Sequence, residues 1–325
     1  MPAMRPIDAA MSADRPEKRV IRERWLDRVG EEWRSHRPDD VPNYLCLPGR
    51  DGQEIQMLIE RDLIDCEENG AIRADNQYTV IAVESDSLAA AELQHRFPGL
   101  KILTTDIRDL LSGSSPIAFP SGVFRKYCRA RVVNLDFNTS LNAQIVDGQL
   151  VFPIVNAVSK IAQLHATPTH LDWTLFLTIN ATIGWPAAAE ELVTKFLRAN
   201  WSTNTDFASA SKDVLGHEVF MAIYAEGDFK YRDMNSDVHK AILKVLVPKR
   251  VAFEVHRQGW MLNTDWSWSY GGKNGSAPML TFGVRFMWDS RASIHSHELY
   301  RDSLSSIFEG VGKIDEEGNL HVGSA

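Results

Sequence analysis

Cysteine is scarce: Cys46, Cys66 and Cys128 are the only three in 325 residues. Their odd number and wide spacing exclude a disulfide framework and supply no paired-cysteine zinc motif, so each is expected as a reduced, half-buried thiol. Long apolar runs are also missing. No window reaches the roughly 18 consecutive apolar residues of a membrane span. The opening MPAMRPIDAAMSADRPEKR lacks the apolar core of a secretory leader and reads as a loose tail. A cytoplasmic location without membrane association is the expectation. Positive charge is in deficit, with 35 Lys and Arg against 43 Asp and Glu, a formal charge of −8. That argues against a surface coated with phosphate-binding cations. There is no phosphate loop, no nucleophile elbow and no Gly-x-Gly-x-x-Gly, which disfavours a nucleotide-binding oxidoreductase.

What is present is a rhythm of strands and helices. Ile21, Trp25, Val29 and Trp33 recur at helical spacing among charges and predict an amphipathic helix. NYLCL then reads as a first strand and GQEIQMLIERDLI as the helix after it. YTVIAVES is a buried second strand. SLAAAELQHRF is a helix that stops at Pro98-Gly99. KILTTD makes a third strand before a short helical IRDLL. After a loop over residues 112–122, RARVVNLDF is a fourth strand, IVNAVSKIAQLHA a helix and DWTLFLTINAT a fifth strand.

The rhythm changes after Trp185-Pro186. AAAEELVTKFLRANW and DFASASKDVLGHEVFMAIYAE are helical, and a further helix is expected to break near Pro248. Residues 259–288 form an aromatic-rich hairpin around a Gly/Asn/Lys turn. The expected fold is α/β: a three-layer, Rossmann-like, mostly parallel sheet with a C-terminal antiparallel hairpin and a helical insertion. Its organisation is a tail and helix over 1–40 and a core over 41–184. A helical insertion or cap spans 185–248, a closing helix and hairpin of the same sheet spans 249–306, and a poorly anchored tail spans 307–325.

In an open parallel sheet, ligands lie beyond the carboxyl ends of the strands, where the strand order reverses. After the first strand come Pro48, Gly49, Arg50, Asp51 and Gly52; Glu84 ends the second strand and Asp106 the third. Glycines let the main chain approach a ligand and offer N–H donors at a helix start. A carboxylate after the second strand suits ribose hydroxyls, and one after the third suits an adenine amino group, with Ile107 covering the ring. Each of these acids is equally readable as an ordinary polar loop residue, and a tight turn needs glycine with or without a ligand.

The pattern over residues 44–180, with the hairpin at 259–288, resembles the class I S-adenosylmethionine-dependent methyltransferases. The resemblance implies S-adenosylmethionine as cofactor, held by Gly49, Gly52, Glu84, Asp106 and Ile107. The first turn departs from that family. Cys46, Pro48 and Arg50 stand where it carries an acid and two glycines, and Arg50 either points outward or reaches the cofactor's carboxylate. NLDF after the fourth strand resembles the segment with which amino-group methyltransferases hold their target. Asn134 and Phe137 match its ends, while Leu135 and Asp136 replace two prolines. Asn134, Asp136 and Phe137 are thus the candidate catalytic residues, Asp136 as a general base or as a strand-end cap.

A nucleic-acid base amino group is the preferred acceptor, since FRKYCRAR at 124–131 gathers four cations before the fourth strand; a solvated loop is the plain reading of that run. The competing function is a catalytically inactive, methyltransferase-like scaffold or binding subunit, with the inserted helices as an oligomer or partner surface. No metal site is expected, because His295 and His297 have no third ligand at fixed spacing. His165 and His170 are expected to satisfy backbone groups. Trp260, Trp266, Trp268 and Tyr270 are expected in core or interface packing.

Overall fold

The computed structural model describes residues 15–34, 44–74, 79–112, 129–166, 170–225, 229–271, 276–291, 297–301, 303, 308 and 310–322. Helix α1 (Pro16–Arg34) precedes four strand–helix steps: β1 (Tyr44–Cys46) to α2 (Gln53–Glu60), β2 (Val80–Glu84) to α3 (Ser87–Arg96), β3 (Lys101–Thr104) to α4 (Ile107–Ser112), and β4 (Val132–Ser140) towards α5 (Pro153–His165). A small hairpin, β5 (Gln144–Val146) and β6 (Gln149–Val151), separates β4 from α5. β7 (Trp173–Asn180) follows, then α6 (Ala187–Thr203), α7 (Thr205–Leu215), α8 (His217–Tyr224) and α9 (Ser236–Val255). The long hairpin β8 (Trp260–Gly271) and β9 (Pro278–Trp288) comes next, and β10 (Val311–Ile314) and β11 (Leu320–Val322) end the order.

Among the described residues, nine strands make one sheet in the order β11-β10-β8-β9-β7-β4-β1-β2-β3. β1 pairs in parallel with both β2 and β4, so the chain adds strands to one side of β1 and then returns to the other. That reversal opens a crevice at the carboxyl ends of β1 and β4. β2–β3 and β4–β7 are also parallel, whereas β9 runs antiparallel to both β7 and β8. The central strands are short, apolar and covered on both faces: β1 is buried throughout, and β7 up to its last residue.

Two apolar layers flank the sheet. One joins Ile21, Trp25 and Val29 of α1 to Ile55 and Leu58 of α2 and Leu93 of α3. The other joins α4, α5 and α9 with α6, α7 and α8. The hairpin contributes to both. Trp260 and Leu262 belong to the second layer, and Trp266, Trp268 and Tyr270 to the first. A register shift between Thr264 and Trp266 is the reason, because one extra residue reverses which face later side chains take. Gly283 faces Trp266 across the ladder, where any Cβ would collide with the indole.

Three expectations need correction. The helix expected to break near Pro248 is continuous from Ser236 to Val255, with Pro248 buried inside it. Its apolar residues on several sides, from Leu243 to Val251, are buried, and that packing outweighs the missing N–H. Within the tail expected to be poorly anchored, residues 311–314 are held: β10 adds a parallel strand to β8, and the Lys244 Nζ of α9 donates to the Gly312 carbonyl at 2.7 Å. The stretch read as one helix from 206 to 226 is two, divided at Gly216, whose φ of 79° lies in the region glycine favours. The run at 124–128, the loop residues 113–122, Cys128, His295 and the hairpin turn at 272–275 lie outside the described residues.

Candidate functional site

A cavity of about 520 Å³ opens at the carboxyl ends of β1 to β4. Its walls are the four segments that leave those strands, and side chains of α1 cover it. Pro48, Gly49, Arg50 and Asp51 come from the turn after β1; Glu84, Ser85 and Asp86 come from the end of β2. Thr105, Asp106, Ile107 and Arg108 follow β3, and Asp136 to Thr139 close the β4 side. Glu84 and Asp106, on neighbouring strands, thus border one space, as a ligand bridging them requires.

The two glycines of the first turn do different work. Both have positive φ, 61° at Gly49 and 55° at Gly52. Gly49 borders the cavity and has nothing within 4 Å of a Cβ position. Gly52 caps α2, and a Cβ there would lie 2.6 Å from Phe97 and 2.7 Å from Leu93. Glycine at 52 is therefore demanded by the packing of α3, and the residue is not among those lining the cavity. Arg96 of α3 donates to the Asp51 carbonyl at 2.7 Å, tying the turn to that helix. Arg50 pairs with Glu92 at 3.2 Å while bordering the cavity.

The acids along the rim are held to different degrees. Glu84 Oε1 accepts from the Asp86 amide at 2.9 Å. Asp86 caps α3 by accepting from the amides of Leu88 and Ala89, bonds that hold its carboxyl below the usual range. Asp106 is gripped more firmly. Arg108 reaches it through Nε at 3.0 Å and Nη2 at 2.6 Å, and also donates its amide at 2.7 Å. The Arg108 hydrogen bonds lower the Asp106 carboxyl, so it stays ionised.

On the β4 side the structure separates the three candidate catalytic residues. Asp136 and Phe137 line the cavity; Asn134 is fully buried beneath it. The Asn134 Nδ2 donates to the Tyr44 hydroxyl at 2.9 Å and to Glu54 Oε2 at 2.5 Å. The placement expected for Asn134, at the wall beside an acceptor amine, is corrected to the floor. Its position on β4 beside Cys46 of β1 turns the side chain into the α1–α2 layer. Asp136 Oδ2 accepts from Lys18 Nζ at 3.2 Å, a bond between α1 and β4 across the cavity.

Two contributors were not foreseen. Lys18, Arg22 and Trp25, spaced along one stripe of α1, line the cavity. Among the described residues, none of α6, α7 or α8 does, because these helices pack in the opposite layer; α1 is the covering element instead of the inserted helices. The second is Glu54, in the first turn of α2, which lines the cavity while only 4% exposed. Tyr44 donates its hydroxyl to Glu54 Oε2 at 3.0 Å. Burial, and then the nearby Asp136 charge, push the Glu54 carboxyl up to about 7, against the pull of Tyr44, Cys46 and Arg22. The signal for Glu54 was an acid standing four residues before Leu58 on the apolar stripe of its helix.

Of the other side chains singled out from the sequence, His165 and the hairpin aromatics are packed, while His170 and His297 are exposed. His165 is fully buried with its ring nitrogens 2.8 Å from the carbonyls of Ile161 and Ala130. Burial lowers its pKa to about 4. His170 stacks on Trp288. Trp260, Trp266, Trp268 and Tyr270 are all buried. Among the described residues, no three His, Cys, Asp or Glu side chains cluster as a metal site would require, and no helix is long and apolar enough to cross a membrane. No family model matches the chain, and no curated protein matches it.

Proposed function

We propose that the cavity binds S-adenosylmethionine and that the chain is a methyltransferase using it. The observation that carries this reading is the shared cavity of Glu84 and Asp106 at the point where the strand order reverses. Gly49 supplies the close main-chain approach and Glu84 the acceptor for ribose hydroxyls. Asp106, with Ile107 beside it, serves the adenine end. When bound, the cofactor supplies a methyl group on a sulfonium, open to in-line displacement. The residues of this chain contribute alignment more than acid–base chemistry.

The acceptor side is formed by Asp136, Phe137, Asn138 and Thr139. Phe137 borders the cavity while packed in the second layer at 8% exposure; the resemblance of its segment to one that holds an amino group is what favours a nucleic-acid base amino group as the class, and a duplex base would have to leave its stack to enter. Asn134 takes no part in that contact, since its amide is bonded to Tyr44 and Glu54. Asp136 is the side chain placed to orient the acceptor or take its proton.

Calorimetry with S-adenosylmethionine tests the reading. Wild type should bind, and Glu84→Ala should weaken binding about ten- to hundredfold, the range expected for losing a charged acceptor of hydroxyl protons. Absence of heat with wild type would leave the second reading, a non-catalytic scaffold. That alternative draws on the chain's own cations engaging two of the carboxylates, Arg108 on Asp106 and Lys18 on Asp136. Its partner or oligomer contact would fall on α8, where Met221 and Tyr224 are exposed.

A further inference from the structure

Lysine side chains are seldom buried unless paired. Lys240 and Lys244, one turn apart on α9, are only 5% and 9% exposed. Both reach across to the sheet. Lys240 Nζ donates to the Gly271 carbonyl at the end of β8 and to Asp237 Oδ1, each at 3.3 Å. Lys244 Nζ donates to the Gly312 carbonyl of β10 at 2.7 Å.

Strand alternation brings a third ammonium and a hydroxyl to the same side. Trp266, Trp268 and Tyr270 point into the first layer, so Ser269 between the last two faces α9. A Cβ on Gly312 would meet the Trp268 ring, which sets Gly312 towards the first layer and Lys313, the next residue, towards α9. Lys313 stands opposite Ser269 in the β8–β10 ladder. Ser269 Oγ lies 3.5 Å from the same Gly312 carbonyl that Lys244 holds.

Negative charge is short at this corner. The charged groups facing Lys244 are Lys240 and Asp237 on its own helix and Lys313 on β10. His321 of β11, opposite Lys313, is bonded to Asp315 at 2.8 Å. Among the described residues, Asp237 is the only acid that pairs with any of the three lysines, and its side chain is 77% exposed. Burial, and then the charges of Lys240 and Lys313, push the Lys244 ammonium down to about 8. Three ammoniums around one exposed carboxylate would be stabilised by an anion.

We propose that Lys240, Lys244 and Lys313, with the Ser269 hydroxyl, bind a phosphate dianion, either inorganic phosphate or a phosphomonoester. The site stands independently of the cofactor reading, since none of these residues lines the cavity. A phosphate group offers several acceptor oxygens and close to two negative charges to donors converging from α9, β8 and β10. Lysine serves such a group as a point charge, without the planar fork of arginine. Lys240 and Lys244 are recessed, while Lys313 and Asp237 at their border are exposed, so a small anion enters from that side. The formal charge of −8 and the recessed lysines disfavour a nucleic-acid strand or an anionic membrane. Once bound, the anion ties the β10 edge of the sheet to α9.

Occupancy has a proton signature. With the Lys244 value at about 8, part of the population lacks this proton at pH 8. An arriving dianion favours the charged ammonium, so binding takes up a proton.

Calorimetry on the full chain tests the site with inorganic phosphate, glycerol 3-phosphate and sulfate, against sodium chloride at matched ionic strength. Wild type should bind phosphate saturably, one per chain. Lys313→Ala, at an exposed position, should weaken binding about three- to tenfold, and Lys244→Met about tenfold or more. Lys195→Ala, on α6 and 66% exposed, should leave it unchanged. Sulfate, which does not titrate at pH 8, should bind there with proton uptake, read from heats in buffers of different ionisation enthalpy. Lys244→Met should abolish that uptake. Tighter binding of glycerol 3-phosphate would assign the site to an ester, and tighter binding of inorganic phosphate to the free ion; both support it. Should Lys244→Met not fold, Lys313→Ala and Lys313→Glu decide, the second expected to weaken phosphate further than the first. Heats no larger than those with chloride, or an affinity unchanged by substitution of Lys313, overturn the proposal.

Discussion

Two buried ionisable side chains, one in each layer, behave differently. Glu54 is 4% exposed, borders the cavity, and answers to Tyr44, Asn134, Cys46, Asp136 and Arg22. Lys249 of α9 is fully buried in the opposite layer, and among the described residues its Nζ has no hydrogen-bond partner. Its neighbours are rings: Tyr300 at 3.5 Å and Phe207 at 4.9 Å from Nζ to the centroid. Burial alone takes Lys249 down to about 6. The same desolvation acts on both groups, yet only Glu54 has polar neighbours to tune it and a cavity in which to act. A displaced pKa, without such surroundings, does not make a site.

The comparison can be broken most directly at Lys249. Lys249→Met should stabilise the fold by about 1–4 kcal/mol, since replacing a buried charge-bearing group with a hydrophobic one of similar volume is commonly favourable. Free lysine titrates near 10.4, so the unfolded chain holds a proton that the folded chain lacks between about 6 and 10.4. The penalty is full below the folded value and fades as pH rises towards the unfolded one. Urea melts at pH 6 and pH 9 should therefore show the larger gain at pH 6; a gain that is absent or larger at pH 9 breaks the argument.

Glu54→Gln should show the opposite pH sense and a smaller effect, about 1–3 kcal/mol at pH 8–9. Here the folded value, about 7, lies above the roughly 4.3 of a free glutamate, so the penalty is absent below the unfolded value and complete above the folded one. The gain should vanish near pH 4. The smallest effect sharpens the contrast. Asp136→Asn removes a charge that raises Glu54 and should move the Glu54 midpoint downward, read by carboxyl-carbon NMR, while the Lys249 midpoint stays fixed.

Much of the sheet was legible because its central strands are apolar, β-branched runs bounded by turn residues, as in VIAVE and WTLFLTIN. Glu84 and Asp106 were found because strand ends in a parallel sheet point to the rim; Asp136, read as following the fourth strand, lies inside β4, beyond its last rung with β1. Other features were hidden for physical reasons. Pro248 is a helix breaker by local chemistry, and only the packing around α9 shows why the helix continues. β10 offers little beyond Val311 and Ile314 as apolar signal, and its anchoring depends on β8, more than 40 positions earlier in the chain. The β5–β6 hairpin did carry a signal that was passed over: Asp147-Gly148, with φ of 50° and 75°, is the two-residue turn that hairpins favour. Asn134 looked like a rim residue from its neighbours in sequence, but alternation along β4 sends it to the opposite side from Leu135. That α1 covers the cavity could not be read from its periodicity, which shows an apolar face without saying what it meets.

The β2–β3 ladder ends with Glu84 opposite Thr104, so the rim acids at 84 and 106 stand at or beyond the last paired rungs. If the rim binds a ligand as proposed, recognition at those positions can drift under selection with little penalty to folding, because few core contacts depend on the side chains there. Glu54 has no such freedom. Bonded to Tyr44 and Asn134 inside the protein, it couples any change in ligand preference to the architecture beneath, and variants that alter specificity at this spot will bring their stability along with them.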